Sequence, residues 1–317
     1  MTRTLFCTGQ GIGNVIMATP AIKASAKISG SPVDLYLAPT PKTVKLKELF
    51  FDQRFVRRIR QFPEQMFEDR YDYIIVTSNF SRTAILEGRR NVIRLERIPP
   101  GIREEDSNIE LVRKIGYRGR TPDPFVVKVP MKGKRIFRPS VGIHPGCKEK
   151  WRRIKAWPGF QRLAGSLSRD GIKVWVFIGT EELRFFNRDD WPADASVVSG
   201  LELPQVAWLA GKMDAFVAGD SGLLHLAGAA GTRTVGIFGS TDPERSLPRG
   251  AVLVRSNPIL PCQPCYYRLK NDLNCERSPD CEVAPCLLAV SQKQVESSVR
   301  LVLDKGGNRR RKRKGGK

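Results

Sequence analysis

AGDSGLLHLAGAAGTRTVGIFGSTDP, residues 218–243, decides the fold. The apolar run 215–218 reads as a buried strand of a parallel sheet, and Gly219, Asp220, Ser221 and Gly222 turn out of it with residue types that cap helices. A helix is expected over 223–230, closed by Gly231. Residues 234–238 form the next strand, and 239–243 make a second polar loop at its carboxyl end. Open α/β sheets bind their ligands at such ends. The backbone N–H groups of Ser221, Gly222 and Leu223 would point outward at the positive end of the helix dipole, which suits a diphosphate. On spacing alone, a plain strand, turn and helix with no ligand is the alternative.

Upstream of this stretch the same alternation repeats. Residues 141–144 read as a strand, 145–146 as a turn and 147–154 as a loop with four basic residues and one Glu. Lys155-Ala-Trp-Pro158 leads into a helix over 159–169, and 173–178 is a strand ending at Gly179. A helix over 204–212 then precedes the opening stretch. Residues 130–139, charged and without apolar periodicity, are the expected linker to an earlier domain. That domain begins with a short strand at 2–7, a glycine-rich loop at 8–14 and a helix over 15–29. Gly9, Gly11 and Gly13 do not match GxGxxG, and the acidic residue nearest the required distance is Asp34, inside the next strand, so a dinucleotide site is a weak expectation. The glycines imply either a close approach to the backbone or merely a tight turn. Strands at 33–38, 71–77 and 122–129 and helices over 43–51 and 104–116 continue the series, Ile109, Val112 and Ile115 sharing one side of the last. Arg54, Arg57, Arg58, Arg60, Arg82, Arg89, Arg90, Arg94 and Arg97 are either solvated surface or a basic, acceptor-facing groove.

A chain of 317 residues accommodates about two domains. Its 54 Lys and Arg against 32 Asp and Glu give a net charge of +22, and seven of the positive charges stand in 309–317, leaving +15 on the remainder. A polyanionic partner is therefore favoured, whether nucleic acid, an anionic membrane surface or a phosphorylated glycan. No apolar run approaches the roughly 18 residues of a membrane span. The apolar start is interrupted by Gln10, Asn14 and three glycines, which fits a strand, loop and helix better than a signal peptide. The expected location is cytoplasmic, with peripheral contact at the inner membrane as an option. Seven cysteines, five of them between 262 and 286, fit a reducing compartment. Cys262, Cys265, Cys275 and either Cys281 or Cys286 have a spacing that can close a structural zinc site, the alternative being buried or paired thiols. A final helix is expected over 291–304, carrying Val295, Val299 and Val302 or Leu303 on one side, followed by a disordered basic tail at 305–317.

Taken in order, GQGIGNVIMATPAIKA near the start, HPG and KAWP at 144–158, SGLELPQVAWLAGKMDAFVAGDSGLLHLAGAAGTRTVGIFGSTDP at 199–243 and the cysteine-rich end resemble glycosyltransferase family 9, the heptosyltransferase-like enzymes. The resemblance runs over about 3–303. It implies an α/β chain of GT-B architecture, two doubly wound Rossmann-like domains facing a cleft: 1–133 on the acceptor side, and 134–290 binding the donor and including the cysteine-rich segment. It further implies inverting transfer of a heptose or hexose from a nucleotide-sugar donor, without a required metal, to an anionic or lipid-linked bacterial surface glycan such as lipopolysaccharide core.

By the same resemblance Lys155 meets the donor phosphates with Ser221, Gly222 and Leu223, and Gly179 stands on the donor side. Asp220 faces the sugar, and His225 either hydrogen-bonds phosphate or braces the loop. Asp242 contacts sugar or acceptor, or else is a turn residue before Pro243. Gly11, Gly13 and Asn14 form the acceptor-side loop. Here the chain departs from the pattern, because the heptosyltransferases carry Asp where this sequence has Asn14, and a carboxamide takes no proton at neutral pH. The base then moves to another carboxylate, Asp220 or Asp242, or Asn14 only orients the acceptor, or activity is lost. Two readings stand beside a surface-glycan transferase: a transferase acting on modified bases in DNA, and a non-enzymatic basic scaffold for nucleic acid or a partner.

Overall fold

The computed structural model describes residues 2–9, 11–37, 41–64, 70–95, 98, 101–266, 268, 275, 278 and 280–314, with only the backbone of 41–45 and 306–314. Gln10, Arg97 and 315–317 lie outside the described residues. Two compact units form, Met1–Val129 with Glu202–Ala207, and Pro130–Leu201 with Trp208–Lys317.

The first unit holds a parallel sheet of β1 (Thr4–Cys7), β2 (Val33–Tyr36), β3 (Val56–Arg60), β4 (Tyr73–Val76) and β5 (Val92–Arg94), in the order β3-β2-β1-β4-β5. TLFC and VDLY are buried at every position, as strands covered on both faces must be. Helix α1 (Ile12–Ser29) starts earlier than the sequence suggested, so that Gly13 and Asn14 fall in its first turn. Pro20 lies inside this helix and has no N–H for the carbonyl of Ile16. The Thr19 hydroxyl donates to that carbonyl instead, at 2.7 Å. Gly30, at φ +64, ends the helix by donating its N–H to the Lys27 carbonyl. Two further helices follow, α2 (Pro41–Phe50) and α3 (Glu104–Arg113), and α3 packs on α1 with Asn108 Nδ2 donating to the Met17 carbonyl.

Two expectations for this unit need correction. Residues 122–129 form no strand. The segment is tied by single contacts, Phe125 N–H to Thr19 Oγ1 at 3.0 Å and Val127 N–H to the Leu49 carbonyl at 2.8 Å, rather than by a ladder. Conversely, the arginines at 57, 58 and 60 stand in β3, which was read only as charge. Arg57 makes two hydrogen bonds to the fully buried Asp34 carboxylate, at 2.9 and 2.8 Å, and Tyr71 adds a third at 2.7 Å. Burial works to raise the Asp34 pKa, but these partners and Arg60 hold it below the ordinary carboxylate range.

The second unit holds β6 (Ser140–His144), β7 (Lys173–Phe177), β8 (Ser196–Val198), β9 (Ala215–Gly219), β10 (Thr234–Ile237) and β11 (Val252–Val254) in the all-parallel order β11-β10-β9-β6-β7-β8. Its helices are α4 (Arg152–Lys155), α5 (Phe160–Arg169), α6 (Leu203–Ala210, its first part grouped with the first unit), α7 (Gly222–Ala229), α8 (Pro243–Ser246), α9 (Pro285–Leu288) and α10 (Gln292–Lys314). Val295, Val299 and Val302 of α10 are buried in the same core as β6, β9 and β10. That helix runs through Lys314, past the Asp304 at which the sequence reading ended it and began a disordered tail. Lys and Arg are good helix formers, so a basic run need not stop a helix.

Candidate functional site

In each sheet the chain winds away in two directions from a central pair of strands, and the carboxyl ends of that pair are where such sheets bind ligands. In the second unit the pair is β6 and β9. His144 is the last residue of β6, and Ser221 caps α7 just after β9. His144 Nδ1 and Ser221 Oγ are 3.0 Å apart, and His144 Nε2 is 3.3 Å from Glu182 Oε2, which also accepts the Gly179 N–H at 2.7 Å. A carboxylate beside Nε2 favours the proton there, so that Nδ1 accepts from the Ser221 hydroxyl. Ser221 is thereby turned toward His144, and makes no side-chain cap to its own helix. The first N–H groups of α7, at Gly222 and Leu223, have no partner within the helix by its geometry. They carry the positive end of its dipole.

Lys155 closes α4 beside this turn. Its ammonium is 2.8 Å from Asp220 Oδ2, with both side chains about nine-tenths buried. The same ammonium lies 5.0 Å from the Trp151 ring centroid and 4.5 Å from that of Tyr266, so two aromatic faces hold it. Gly219 permits the approach of α4, because a Cβ there would stand 2.7 Å from the Lys155 carbonyl oxygen. Burial works to raise the Asp220 pKa, but Lys155, His225 and the Thr241 hydroxyl together hold it below the usual range. His225 is buried, with Nε2 4.0 Å from Asp220 Oδ1, and burial pushes its own pKa down more strongly than Asp220 lifts it.

The loop after β10 completes the ring. Ser240 Oγ donates to the Ile154 carbonyl at 2.9 Å, and its own carbonyl accepts the N–H groups of Cys265 and Tyr266, both at 2.9 Å. Asp242 caps α8, accepting the Glu244 N–H at 2.9 Å, which is the turn role weighed for it in the sequence.

In the first unit the central pair is β1 and β4. The Gly9 N–H donates to Asn79 Oδ1 at 2.8 Å, bridging the two strand ends, and Thr77 Oγ1 donates to the same oxygen at 2.6 Å. Asn79 Nδ2 in turn donates to Glu104 Oε1. Asn14 folds back over the loop, its Nδ2 standing 2.9 Å from where a Cβ on Gly9 would be and 3.4 Å from one on Gly11. The loop glycines thus make room for side chains of their own unit. Thr8 Oγ1 and Ser78 Oγ are buried there without a hydrogen-bond partner among the described residues.

The structure therefore gathers Lys155, Asp220, Ser221, Gly222, Leu223 and His225 at one strand-end cluster, reaches Gly179 through Glu182, and sets Gly11, Gly13 and Asn14 at another. Sequence reasoning missed His144, Glu182, Trp151 and Tyr266 in the first cluster, and Asn79 and Glu104 in the second. The signal for Asn79 was present in its place at the end of a buried strand. Glu104 entered the sequence reading only as the first residue of a helix.

All seven cysteines are free. Among the described residues no group of three or more His, Cys, Asp or Glu side chains could hold a metal ion. No described helix is long and apolar enough to cross a membrane.

Residues 122–274 match the profile of glycosyltransferase family 9 (heptosyltransferase). Lipopolysaccharide heptosyltransferase 2 of Salmonella typhimurium and of Escherichia coli is 28% identical over 120 residues, 35% of this chain, and the alignment spans only 34% of each of those proteins. The structure of E. coli ADP-heptose LPS heptosyltransferase II superposes with a TM-score of 0.71 at 18% identity, over 96% of this chain and 99% of that one. The iron-containing dodecameric glycosyltransferase TibC of enterotoxigenic E. coli gives 0.61 at 16% identity, over 97% and 76%. These likenesses place the fold as GT-B-like, built from two Rossmann-type domains.

Proposed function

We propose that the chain is a member of glycosyltransferase family 9 and that it transfers a sugar, with inversion, from a nucleoside-diphosphate donor bound by the second unit to an acceptor hydroxyl bound by the first. The observation that carries this reading is the uncapped start of α7 beside the Lys155 ammonium, two diphosphate-binding devices at one strand end. Asp220 holds that ammonium in place. As the bond from the anomeric carbon to the diphosphate breaks, Lys155 and the Gly222 and Leu223 N–H groups take up the charge developing on the leaving oxygen. The acceptor oxygen bonds to the opposite face of that carbon and loses its proton.

Asp220 is held ionised at a low pKa by Lys155, and Asp242 is spent as a helix cap, so neither suits that proton. We assign it to Glu104, the carboxylate hydrogen-bonded through Asn79 into the loop where Asn14 stands. The relatives' names favour ADP-heptose as donor and lipopolysaccharide as acceptor. A net charge of +22 favours such an anionic, lipid-linked acceptor, met at the cytoplasmic face of the inner membrane.

The test is transfer from ADP-, UDP- and GDP-sugars to total lipid and to DNA extracts. Labelled lipid glycan with an ADP-sugar is the expected result. Glycosylated bases in the DNA arm would move the acceptor to nucleic acid. No turnover of any donor in either arm would leave only the non-enzymatic scaffold.

A further inference from the structure

A cleft of about 710 Å³ opens in the first unit between the last turns of α1, the residues leading into β3 and the segment 117–123. Helix α1 starts beside the loop after β1 and ends before β2, so it carries the chain from the carboxyl ends of the parallel sheet back to the amino ends. Gly30 and Pro32, just before β2, and Arg54 and Phe55, just before β3, place the cleft at those amino ends. It is about 20 Å along α1 from Asn14, at 1.5 Å of rise per residue, and shares no residue with the glycine loop. Its volume is that of a small-molecule site, far more than a single ion fills.

Four cations line the cleft, Lys23, Lys27, Arg54 and Arg120, against the carboxylate of Asp123. Asp52 holds Arg54 by bonds of 3.0 and 2.6 Å, and with its charge counted the lining keeps two positive charges in excess. A phosphate monoester, at about −1.5 to −2 near neutral pH, matches that excess. The cations are set before a ligand arrives. Lys23 donates to the Asp123 carbonyl at 2.7 Å and lies 5.3 and 5.6 Å from the ring centroids of Phe55 and Phe125, while the Arg54 guanidinium lies 5.2 Å from that of Phe55. Burial holds the Lys23 pKa below its ordinary range in spite of Asp123 and Asp52, so this ammonium gains from an added anion.

The uncharged lining bears on what carries the phosphate. Both aromatic rings of the cleft are already engaged: Phe55 by Lys23, Arg54 and Phe125, and Tyr117 by burial, its hydroxyl donating to the Arg120 carbonyl at 2.7 Å. Gly119 leaves the Tyr117 ring its room, since a Cβ there would stand 2.5 Å from the hydroxyl oxygen. Neither ring is offered to a nucleobase. The hydroxyls of Ser31 and Thr121 stand instead among small apolar side chains such as Ala24 and Pro122, a mixture that suits the hydroxyls and C–H faces of a sugar.

We propose that this cleft is a further ligand site that binds a sugar phosphate, with Lys23, Lys27, Arg54 and Arg120 around the phosphate and Ser31 and Thr121 on the sugar hydroxyls. No bond is made or broken there. The site belongs to the first unit alone and does not rest on the donor and acceptor reading.

The experiment titrates glucose 6-phosphate, glucose, AMP and inorganic phosphate into the full chain by calorimetry, with flotation on phosphatidate vesicles beside them. Glucose 6-phosphate is expected to bind at one site and more tightly than the other three soluble probes. Lys27→Glu and Arg120→Glu, reversals at two exposed positions, should each weaken it at least about 10-fold, the worth of one hydrogen bond to a charged group, with melting temperatures near that of the unmutated chain. Lys155→Met with Asp220→Asn should leave it unchanged. Absence of glucose 6-phosphate binding, or binding that survives both reversals, overturns the site. Binding lost in the Lys155 double variant and kept in the reversals overturns it in favour of the strand ends of the second unit. AMP or inorganic phosphate bound as tightly as glucose 6-phosphate overturns the sugar class. Vesicle binding that both reversals abolish, without binding of the soluble sugar phosphate, overturns the proposal in favour of a lipid headgroup.

Discussion

The strand ends at β1 and β4 and those at β6 and β9 occupy equivalent places in two parallel sheets, yet they are built from different chemistry. A side chain helps bridge each, with the Gly9 N–H donating to Asn79 in the first and Ser221 paired with His144 in the second. Around the first bridge stand amides, hydroxyls and the buried Glu104 carboxylate. Around the second stand an ammonium, a carboxylate held below its usual pKa and a neutral imidazole. The first can hold a hydroxyl-bearing molecule and accept its proton, and the second can hold a diphosphate. On the proposed function one sheet topology serves two ligand classes, with the division of labour in the side chains at the strand ends.

The largest effect is expected at Lys155. Lys155→Met leaves the buried Asp220 charge without its partner, which costs about 3–5 kcal/mol of stability. Adding Asp220→Asn should recover most of the melting temperature but none of the nucleotide binding. If binding returned with stability, the ammonium would be a structural prop and not a diphosphate ligand.

Next comes Glu104→Gln, which keeps the hydrogen bond geometry of Asn79 within reach but removes the proton acceptor. Turnover should fall by about 10²–10⁴-fold, the worth of a positioned general base, while ADP affinity stays the same. Asn14→Asp placed on that background should return part of the loss, because it restores a carboxylate to the same loop. A pH–rate profile whose acid limb survives in Glu104→Gln would assign the base elsewhere.

The smallest effect is on pH dependence, and it distinguishes the charged strand end from the neutral one. His225 and Asp220 both have folded pKa values below their ordinary 6.5 and 3.8. The unfolded chain therefore binds more protons than the native one between each folded value and its ordinary value, so stability rises with pH through both windows. Melting temperature should be full above about pH 6.5, decline as His225 resists protonation, and decline again below about pH 4 as Asp220 does. His225→Leu should flatten the upper step only. A melting curve unchanged by that substitution would show that the imidazole is not held neutral by burial.

How much of this was readable beforehand varies along the chain with the kind of interaction involved. The stretch 218–243 folds nearly as its pattern reads, strand, turn, helix, strand and loop, because the apolar runs and the Gly, Asp and Ser between them act locally. VRRIR in β3 hid its strand character, since its arginines are satisfied by Asp34 and Tyr71 far away in sequence. The segment 122–129 has strand-like composition, but its N–H groups find scattered partners instead of a neighbour strand. At the candidate site, residues near one turn were legible as a group. The Lys155–Asp220 pair, the aromatic faces of Trp151 and Tyr266 and the path from Asn14 through Asn79 to Glu104 were not, for they depend on which loops meet in space.

The central claim is that nucleotide binding belongs to the β6–β9 strand ends and not to the glycine loop of the first unit. Calorimetric titration of ADP into the unmutated chain, Lys155→Met with Asp220→Asn, and Asn14→Asp tests it most directly. The expected result is one site in the unmutated protein, unchanged in Asn14→Asp and lost in the double variant. Binding abolished by Asn14→Asp and retained in the double variant would contradict the account and exchange the roles of the two units.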